Sequence, residues 1–274
     1  MVMSASERRL NLCFIGWGAI ARRVGELLAE RHPQGVNIVA VALRDHHRDR
    51  DDLPAGVQLI SEPAELAGLD LDMVIEAAGR DAVTMWGEAA LRCTASFIVS
   101  STSAFCDDAL LDRLVSVAKE TGSRIVIPSG ALGDLGALAA AGILPLEEVV
   151  HTIVKPSRAW RGTPAETMLD LETLSVASPF FDGSAREAAD RFPQNANVAV
   201  ISALSGMGLD RTRVVLVADP AAHRNAHRVE AFGAFGRLDL TLENEPLATN
   251  PKSSEMTALS LVRLVENAVA PLVR

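Results

Sequence analysis

The chain is predicted to adopt an α/β fold, a doubly wound parallel sheet with a second, smaller α+β domain. Three observations predict it. Between Leu10 and Ile127 short apolar runs alternate with helix-patterned segments, the pattern of a parallel sheet covered on both faces. A glycine-rich turn follows the first of these runs directly. Beyond Pro128-Ser129-Gly130 the alternation gives way to a strand-rich texture with an antiparallel leaning.

The apolar runs Leu12–Ile15, Ile38–Leu43, Val57–Ile60, Met73–Glu76, Phe97–Ser100 and Ile125–Ile127 give six strands. Ala19–His32, Ala82–Arg92 and Asp107–Thr121 carry helical patterning, and in the last of them Leu111, Leu114, Val115 and Ala118 share one face. The proline-glycine stop places the domain boundary, so residues 1–130 form the first domain and 131–251 the second. In the second domain Leu135–Ala141 reads as a short helix, and Val149–Val154 and Arg213–Ala218 as strands. Arg228–Phe235 and Arg237–Leu242 read as strands paired across a turn at Gly236. From Ser254 the chain is helical again, with Leu261, Leu264, Val265, Ala268 and Leu272 on one stripe. The segment 252–274 is therefore expected to pack back on the first domain.

With 274 residues, 49% hydrophobic and 22% charged, the chain has the balance of a packed globular protein. Its formal net charge of -9, with no Lys/Arg-rich run, argues against nucleic acid as a ligand. Apolar runs are broken by charge before they could span a bilayer, so no membrane association is expected. Met1–Leu10 is polar and lacks the apolar core of a secretory peptide. The three cysteines, Cys13, Cys93 and Cys106, form no CxxC pair and have no histidine at ligand spacing, so neither a disulfide framework nor a metal site is expected. Cys13 and Cys93 read as small core residues, and the expected setting is cytoplasmic.

Gly16-Trp17-Gly18-Ala19-Ile20-Ala21 closes the first strand and opens the first helix. In that context Gly16 permits the tight turn and Gly18 admits a pyrophosphate close to the backbone. A small residue, here Ala21, lets the helix lie on the strand, and the helix N terminus offers unpaired N–H groups to the phosphates. This is the fingerprint of a Rossmann dinucleotide-binding domain. Methyltransferases also use a glycine loop here, but they end their sheet in an antiparallel hairpin instead of a second domain. An acid about 20 residues on holds the ribose 2′-hydroxyl of NAD, whereas an arginine suits the 2′-phosphate of NADP. The second strand ends Ala42-Leu43-Arg44-Asp45, which carries both signals, so NAD and NADP are both expected as cofactors.

The reactive end of such a cofactor lies at the carboxyl ends of the strands, which directs attention to residues after Ser100. Ser129-Gly130-Ala131 reads either as a simple interdomain turn or as backbone against the cofactor. Asn197 reads as a helix N-cap that can also offer its amide to a ligand. Of six histidines, His32, His46 and His47 lie at polar helix ends or in loops, and His151 alternates along a strand as a core residue would. His223 and His227 lie in a loop leading into a strand. Imidazole suits proton exchange near neutral pH, so either is a candidate acid-base group.

Together these segments resemble the L-aspartate dehydrogenases over nearly the whole chain. The matching blocks are Gly16-Trp17-Gly18-Ala19-Ile20, Pro128-Ser129-Gly130-Ala131, Lys155-Pro156 with Ala159-Trp160, and Gly183-Ser184-Ala185-Arg186-Glu187-Ala188. Phe192-Pro193 with Asn195-Ala196-Asn197-Val198-Ala199, Ala218-Asp219-Pro220 with Asn225 and His227, and Asn250-Pro251-Lys252 with Ser254 complete the set. The resemblance implies oxidative deamination of L-aspartate to oxaloacetate and ammonia through iminoaspartate, with NAD or NADP as acceptor. It implies that His227 is catalytic and that Ala131 and Asn197 contact the cofactor, beside Gly16, Trp17, Gly18, Ala19, Ile20 and Arg44. It also implies a place in pyridine nucleotide biosynthesis or amino-acid catabolism. The substrate carboxylates require cations or N–H groups. Lys155, Asn195, Asn225 and Lys252 are the substrate-binding candidates, with Arg158, Arg161 and Arg224 as further cations in the same domain. A strand-rich second domain is a common dimer surface, so a homodimer is expected. Ser157-Arg158, Asp134-Leu135-Gly136, Ser253 and Glu255 depart from the family's usual blocks. Two other readings are a related dehydrogenase acting on another amino acid or imine, of homoserine type, and a non-catalytic NAD(P)-sensing protein.

Overall fold

The computed structural model describes residues 9–44, 50–193 and 196–273. The chain forms two compact units, Met1–Pro128 with Leu261–Arg274, and Ser129–Ser260.

The first unit runs β1 (Leu10–Ile15), α1 (Ala19–Arg31), β2 (Val36–Ala42), β3 (Gln58–Ile60), β4 (Met73–Glu76), α2 (Arg80–Cys93), β5 (Ser96–Val99), α3 (Asp108–Thr121) and β6 (Arg124–Val126). The six strands lie in the order β3-β2-β1-β4-β5-β6, every neighbouring pair parallel. Strand order therefore reverses beside β1, where a doubly wound sheet opens a crevice at its carboxyl edge. The strands are continuous apolar runs because both faces are covered: Leu12, Cys13, Phe14 and Ile15 are all buried. Helix α1 buries Ala21, Val24, Gly25 and Leu28, the spacing of one helical stripe. Gly25 is required there, since a Cβ would stand 2.7 Å from the Trp17 ring. Asp107 caps α3 by accepting a hydrogen bond from the Leu110 N–H (3.2 Å), and Gly122 ends it in the left-handed region at φ 71°. Cys13 is wholly buried, whereas Cys93, expected in the core, is half-buried at the end of α2.

The second unit runs α4 (Gly136–Ala141), β7 (Leu146–Pro156), β8 (Ser178–Ser184), α5 (Ala185–Arg191), α6 (Ala196–Ser205), β9 (Arg213–Asp219), β10 (Asn225–Gly233), β11 (Gly236–Asn244), β12 (Pro246–Leu247) and β13 (Asn250–Ser254). Helix α7 (Glu255–Val269) follows, and the division between the units falls inside it. Within the first unit, Glu266 on α7 accepts from Arg31 (2.5 Å) and bonds His32 (2.9 Å). No described helix is long and apolar enough to cross a membrane.

Strands β11-β10-β7-β9-β8 form a mixed sheet in which β7 and β9 are parallel and the other pairs antiparallel. Strict alternation buries Val149, His151 and Ile153 of β7, Val214, Leu216 and Ala218 of β9, and His227, Val229 and Ala231 of β10.

Four features differ from expectation. β8 is not among the strands read from the sequence and carries Pro179 and Gly183; as an edge strand, with a bulge between Pro179 and Phe181, it tolerates the missing N–H. Helix α5 announces itself by a capping box, Ser184 with Glu187, which the periodicity of so short a segment does not reveal. β10 begins at Asn225, so His227 is a strand residue and not part of the preceding loop. The hairpin tip is Ala234-Phe235, and Gly236 already belongs to β11, at φ 117°.

Candidate active site

In the first unit the turn from β1 into α1 is built for a ligand that lies on backbone. Gly16 adopts φ 87°, and a Cβ on it would stand 2.6 Å from that of Ala78, so only glycine fits. Gly18 is the N-cap of α1 and supplies no side-chain cap, and no acidic residue stands in the first helical turn. A Cβ on Gly18 would meet nothing within 4 Å, leaving open space directly over the positive end of the helix. The Trp17 ring does not fill that space. It packs edge-on to Phe14 at 5.4 Å, and its N–H donates to the Asp52 carbonyl at 2.9 Å, which leaves its backbone to face a ligand. Arg50 donates to the Trp17 carbonyl (3.1 Å) and holds Asp52, with Arg22 on the same carboxylate. Arg44 is exposed just beyond the end of β2; Asp45, with His46 and His47, lies outside the described residues.

Glu76, at the end of β4, is wholly buried and was not singled out by sequence reasoning. Its Oε1 accepts from the N–H groups of Ala78 (2.7 Å) and Gly79 (2.8 Å) and from the Ser101 hydroxyl (2.9 Å), and its Oε2 from the Ser101 N–H (2.9 Å). The carboxylate thus shapes the loop that abuts Gly16. The signal for it was an acid ending a buried strand just before Ala-Ala-Gly, where a charge needs loop amides as partners.

In the second unit the buried sheet face carries a polar island. His227 is paired across β7 with Ile153, so His151 and Lys155 flank it on the same face. His227 Nδ1 lies 3.2 Å from His151 Nε2, and His151 Nδ1 lies 2.9 Å from the Ser202 hydroxyl on α6. The Lys155 ammonium stands 5.3 Å over the Trp160 ring. Burial pulls the His151 imidazole down to about 3 and Lys155 to about 8. Burial, then the charges of His151 and Lys155, hold His227 well below its ordinary value. Both rings are accordingly neutral at pH 7, a base beside a cation.

The other predicted positions are placed as follows. Ala131 is buried in a 3-10 turn, Gly130–Leu132, and its carbonyl accepts from Asn244 (2.8 Å). Asn197 is exposed in the first turn of α6 and is not the N-cap; that helix begins at Ala196, and Asn195, a substrate-binding candidate, lies outside the described residues. Asn225 shares the His227 side of β10 by the two-residue repeat and pairs with Asn244 of β11. Lys252 is exposed, its N–H bonded to the Asn250 side chain. Arg224 pairs with Glu245, Arg161 with Glu172, and Arg158 is exposed. Of the five cations considered, Lys155 is the one brought to the His227 face.

Residues 16–128 match the model of the homoserine dehydrogenase NAD-binding domain, and residues 136–268 that of the aspartate dehydrogenase C-terminal domain. The chain is 58% identical over 268 residues to an L-aspartate dehydrogenase of Brucella anthropi, covering 98% of each. With an L-aspartate dehydrogenase of Pseudomonas aeruginosa it shares 44% over 263 residues, 94% of this chain and 97% of that one. The crystal structure of aspartate dehydrogenase from Thermotoga maritima superposes with a TM-score of 0.75 at 27% identity, covering 97% of this chain and all of that one. A hyperthermophilic archaeal homoserine dehydrogenase, solved in complex with NADPH, shares the fold at a TM-score of 0.60 and 15% identity, over 97% of this chain and all of that one. A glycine turn open for a dinucleotide, a buried imidazole flanked by an ammonium, and identity to curated relatives from end to end agree: the chain belongs to the L-aspartate dehydrogenase family.

Proposed function

We propose that this chain catalyses the NAD(P)-dependent oxidative deamination of L-aspartate to oxaloacetate and ammonia through iminoaspartate. The observation that carries the reading is the pairing of a neutral buried imidazole, His227, with the Lys155 ammonium on one sheet face. A dicarboxylate amine needs both, a base for its nitrogen and a cation for a carboxylate.

The open space over Gly18 at an uncapped helix end fits a dinucleotide. The backbone of Gly16, Trp17, Gly18, Ala19 and Ile20 would hold its pyrophosphate, and exposed Arg44 suits a 2′-phosphate, which favours use of NADP as well as NAD. Ala131 and Asn197 are the further contacts assigned to the cofactor. NAD or NADP supplies the hydride acceptor when bound.

His227 takes a proton at Nε2 from the substrate ammonium, freeing the amine lone pair, and after releasing that proton to solvent its Nε2 can accept a second from the water that adds to the imine carbon. Substrate carboxylates raise the basicity of His227 on binding, because a negative charge nearby favours imidazolium. Lys155 binds a carboxylate, while Asn225, Asn195 and Lys252 complete the substrate contacts. A homodimer formed through the second unit and a cytoplasmic location belong to the same reading, the former measured by sedimentation.

The homoserine-type alternative is favoured by the first unit alone; the half that carries the histidine matches the aspartate dehydrogenase model. The test is formation of reduced nicotinamide from a panel of amino acids with each cofactor. Turnover is expected on aspartate and not on homoserine, and His227→Ala should lower it by about 100-fold or more while cofactor affinity stays near normal. Turnover unchanged by that substitution removes His227 from the mechanism.

A further inference from the structure

The proton base assigned above is useful only in one tautomer. A neutral imidazole carries its hydrogen on Nδ1 or Nε2, and only the Nδ1–H form leaves Nε2 with a lone pair for substrate. The structure contains a chain of buried groups that makes the choice.

The chain can be followed from its far end. The Ser202 hydroxyl lies 3.0 Å from the Ala199 carbonyl, one turn back on α6, and a carbonyl can only accept. With its single hydrogen given to Ala199, Ser202 Oγ is left to accept from His151 Nδ1, 2.9 Å away. His151 Nδ1 therefore carries the ring hydrogen, and Nε2 is bare. Nε2 then accepts from His227 Nδ1 at 3.2 Å, which must be the protonated nitrogen of that ring. Nε2 of His227, the nitrogen that His151 does not engage, keeps its lone pair. We propose that Ser202 and His151 form a hydrogen-bond relay that holds His227 in the Nδ1–H tautomer, His151 and Ser202 being positioning residues for the base. The inference deepens the proposed deamination and rests on the role given there to His227.

Neutrality of both rings is part of the argument. A protonated His151 would donate from Nε2 and reverse the relay, leaving His227 with a hydrogen where a lone pair is needed. His151 is fully buried and His227 is 4% exposed, so a charge on either ring is costly. Lys155, the charged group nearest on β7, further disfavours a second cation. Around this line Val149, Ile153, Val214, Leu216 and Val229 share the face, and Lys155 and Asn225 are the polar residues placed on it beside the two histidines.

The tautomers are read by two-bond ¹H–¹⁵N correlation spectra of the full chain labelled with ¹⁵N-histidine. At pH 7 both His151 and His227 are expected neutral with hydrogen on Nδ1. Hydrogen on Nε2 of His227 overturns the relay. The kinetic arm compares His151→Phe, which ends the relay, with His151→Gln, whose amide oxygen can accept from His227 Nδ1–H. The Phe variant should lose about tenfold or more in kcat with KM little changed, and the Gln variant should recover most of it. Equal impairment of both variants assigns His151 a structural role only, and so does wild-type kcat in the Phe variant. Absence of turnover on any amino acid by the wild-type chain overturns the proposed function, while the spectra judge the tautomer independently of activity.

Discussion

At the scale of single residues, the two outer glycines of the phosphate turn do different work. Gly16 stands at φ 87° against Ala78, whereas Gly18 has ordinary φ and open space around it. Gly16→Ala is therefore expected to disturb the fold of the turn and lower the melting temperature. Gly18→Ala should leave stability unchanged and weaken NADH binding, because its methyl enters the space meant for pyrophosphate. Thermal unfolding and fluorescence titration with NADH distinguish the two. Lys155 yields a second prediction. Burial pulls its ammonium down to about 8, so kcat/KM for aspartate should fall above that pH as the charge is lost. Lys155→Met should raise KM by about 10- to 100-fold, the loss of one charge-assisted hydrogen bond, and abolish that limb of the profile. A limb that persists in the variant assigns the titration elsewhere. The glycine turn was legible in the sequence because its role is local: strand, turn and helix are contiguous. Lys155 was visible only as one of five cations, since what singles it out is the strand opposite.

Among elements, α5 shows how short segments are decided by their ends. It has only seven residues, Ala185–Arg191, too few to be stable from periodicity or propensity. Its capping box ties the Ser184 hydroxyl to the Glu187 N–H (3.2 Å) and the Glu187 carboxylate to the Ser184 N–H (2.7 Å). The Ser184 N–H, and then the Ser184 hydroxyl donating to the same carboxylate at 2.9 Å, hold the Glu187 carboxyl below its usual range. Ser184→Ala is expected to destabilise the chain by about 1 kcal/mol in urea unfolding, with Ser184→Asp retaining most of the cap. β10 presents the opposite case. Its alternation was read from Arg228 onward, but pairing with β7 on one side and β11 on the other extends it back to Asn225 and draws His227 into the sheet. Interstrand hydrogen bonds set that boundary, and no local pattern records them.

For the whole molecule, the buried imidazole pair should be visible in stability against pH. In the unfolded chain each imidazole binds a proton near 6.5, whereas burial holds His151 to about 3 and His227 well below 6.5. Between those values the unfolded state holds more protons, so stability falls as pH falls, by about 1.4 kcal/mol per pH unit for each ring. Urea midpoints from pH 7.5 to 4.5 should decline steeply in the wild-type chain and less steeply in His151→Gln; parallel curves would place the transition on other groups. What the amino-acid order determined by itself was the doubly wound α/β half with its six strands, the phosphate turn, and the strand-rich texture after Pro128. Each of these is written in near neighbours, in apolar runs and in glycines whose backbone geometry is local. Only the tertiary structure decided that His151, read as a core residue, touches His227 from 76 positions away, that Ser202 on helix α6 lies within hydrogen-bond reach of His151, and that Glu76 anchors the loop beside Gly16. These contacts arise from sheet register and from helix packed on sheet. A residue's chemical type limits what it can bond, and the fold chooses the partner.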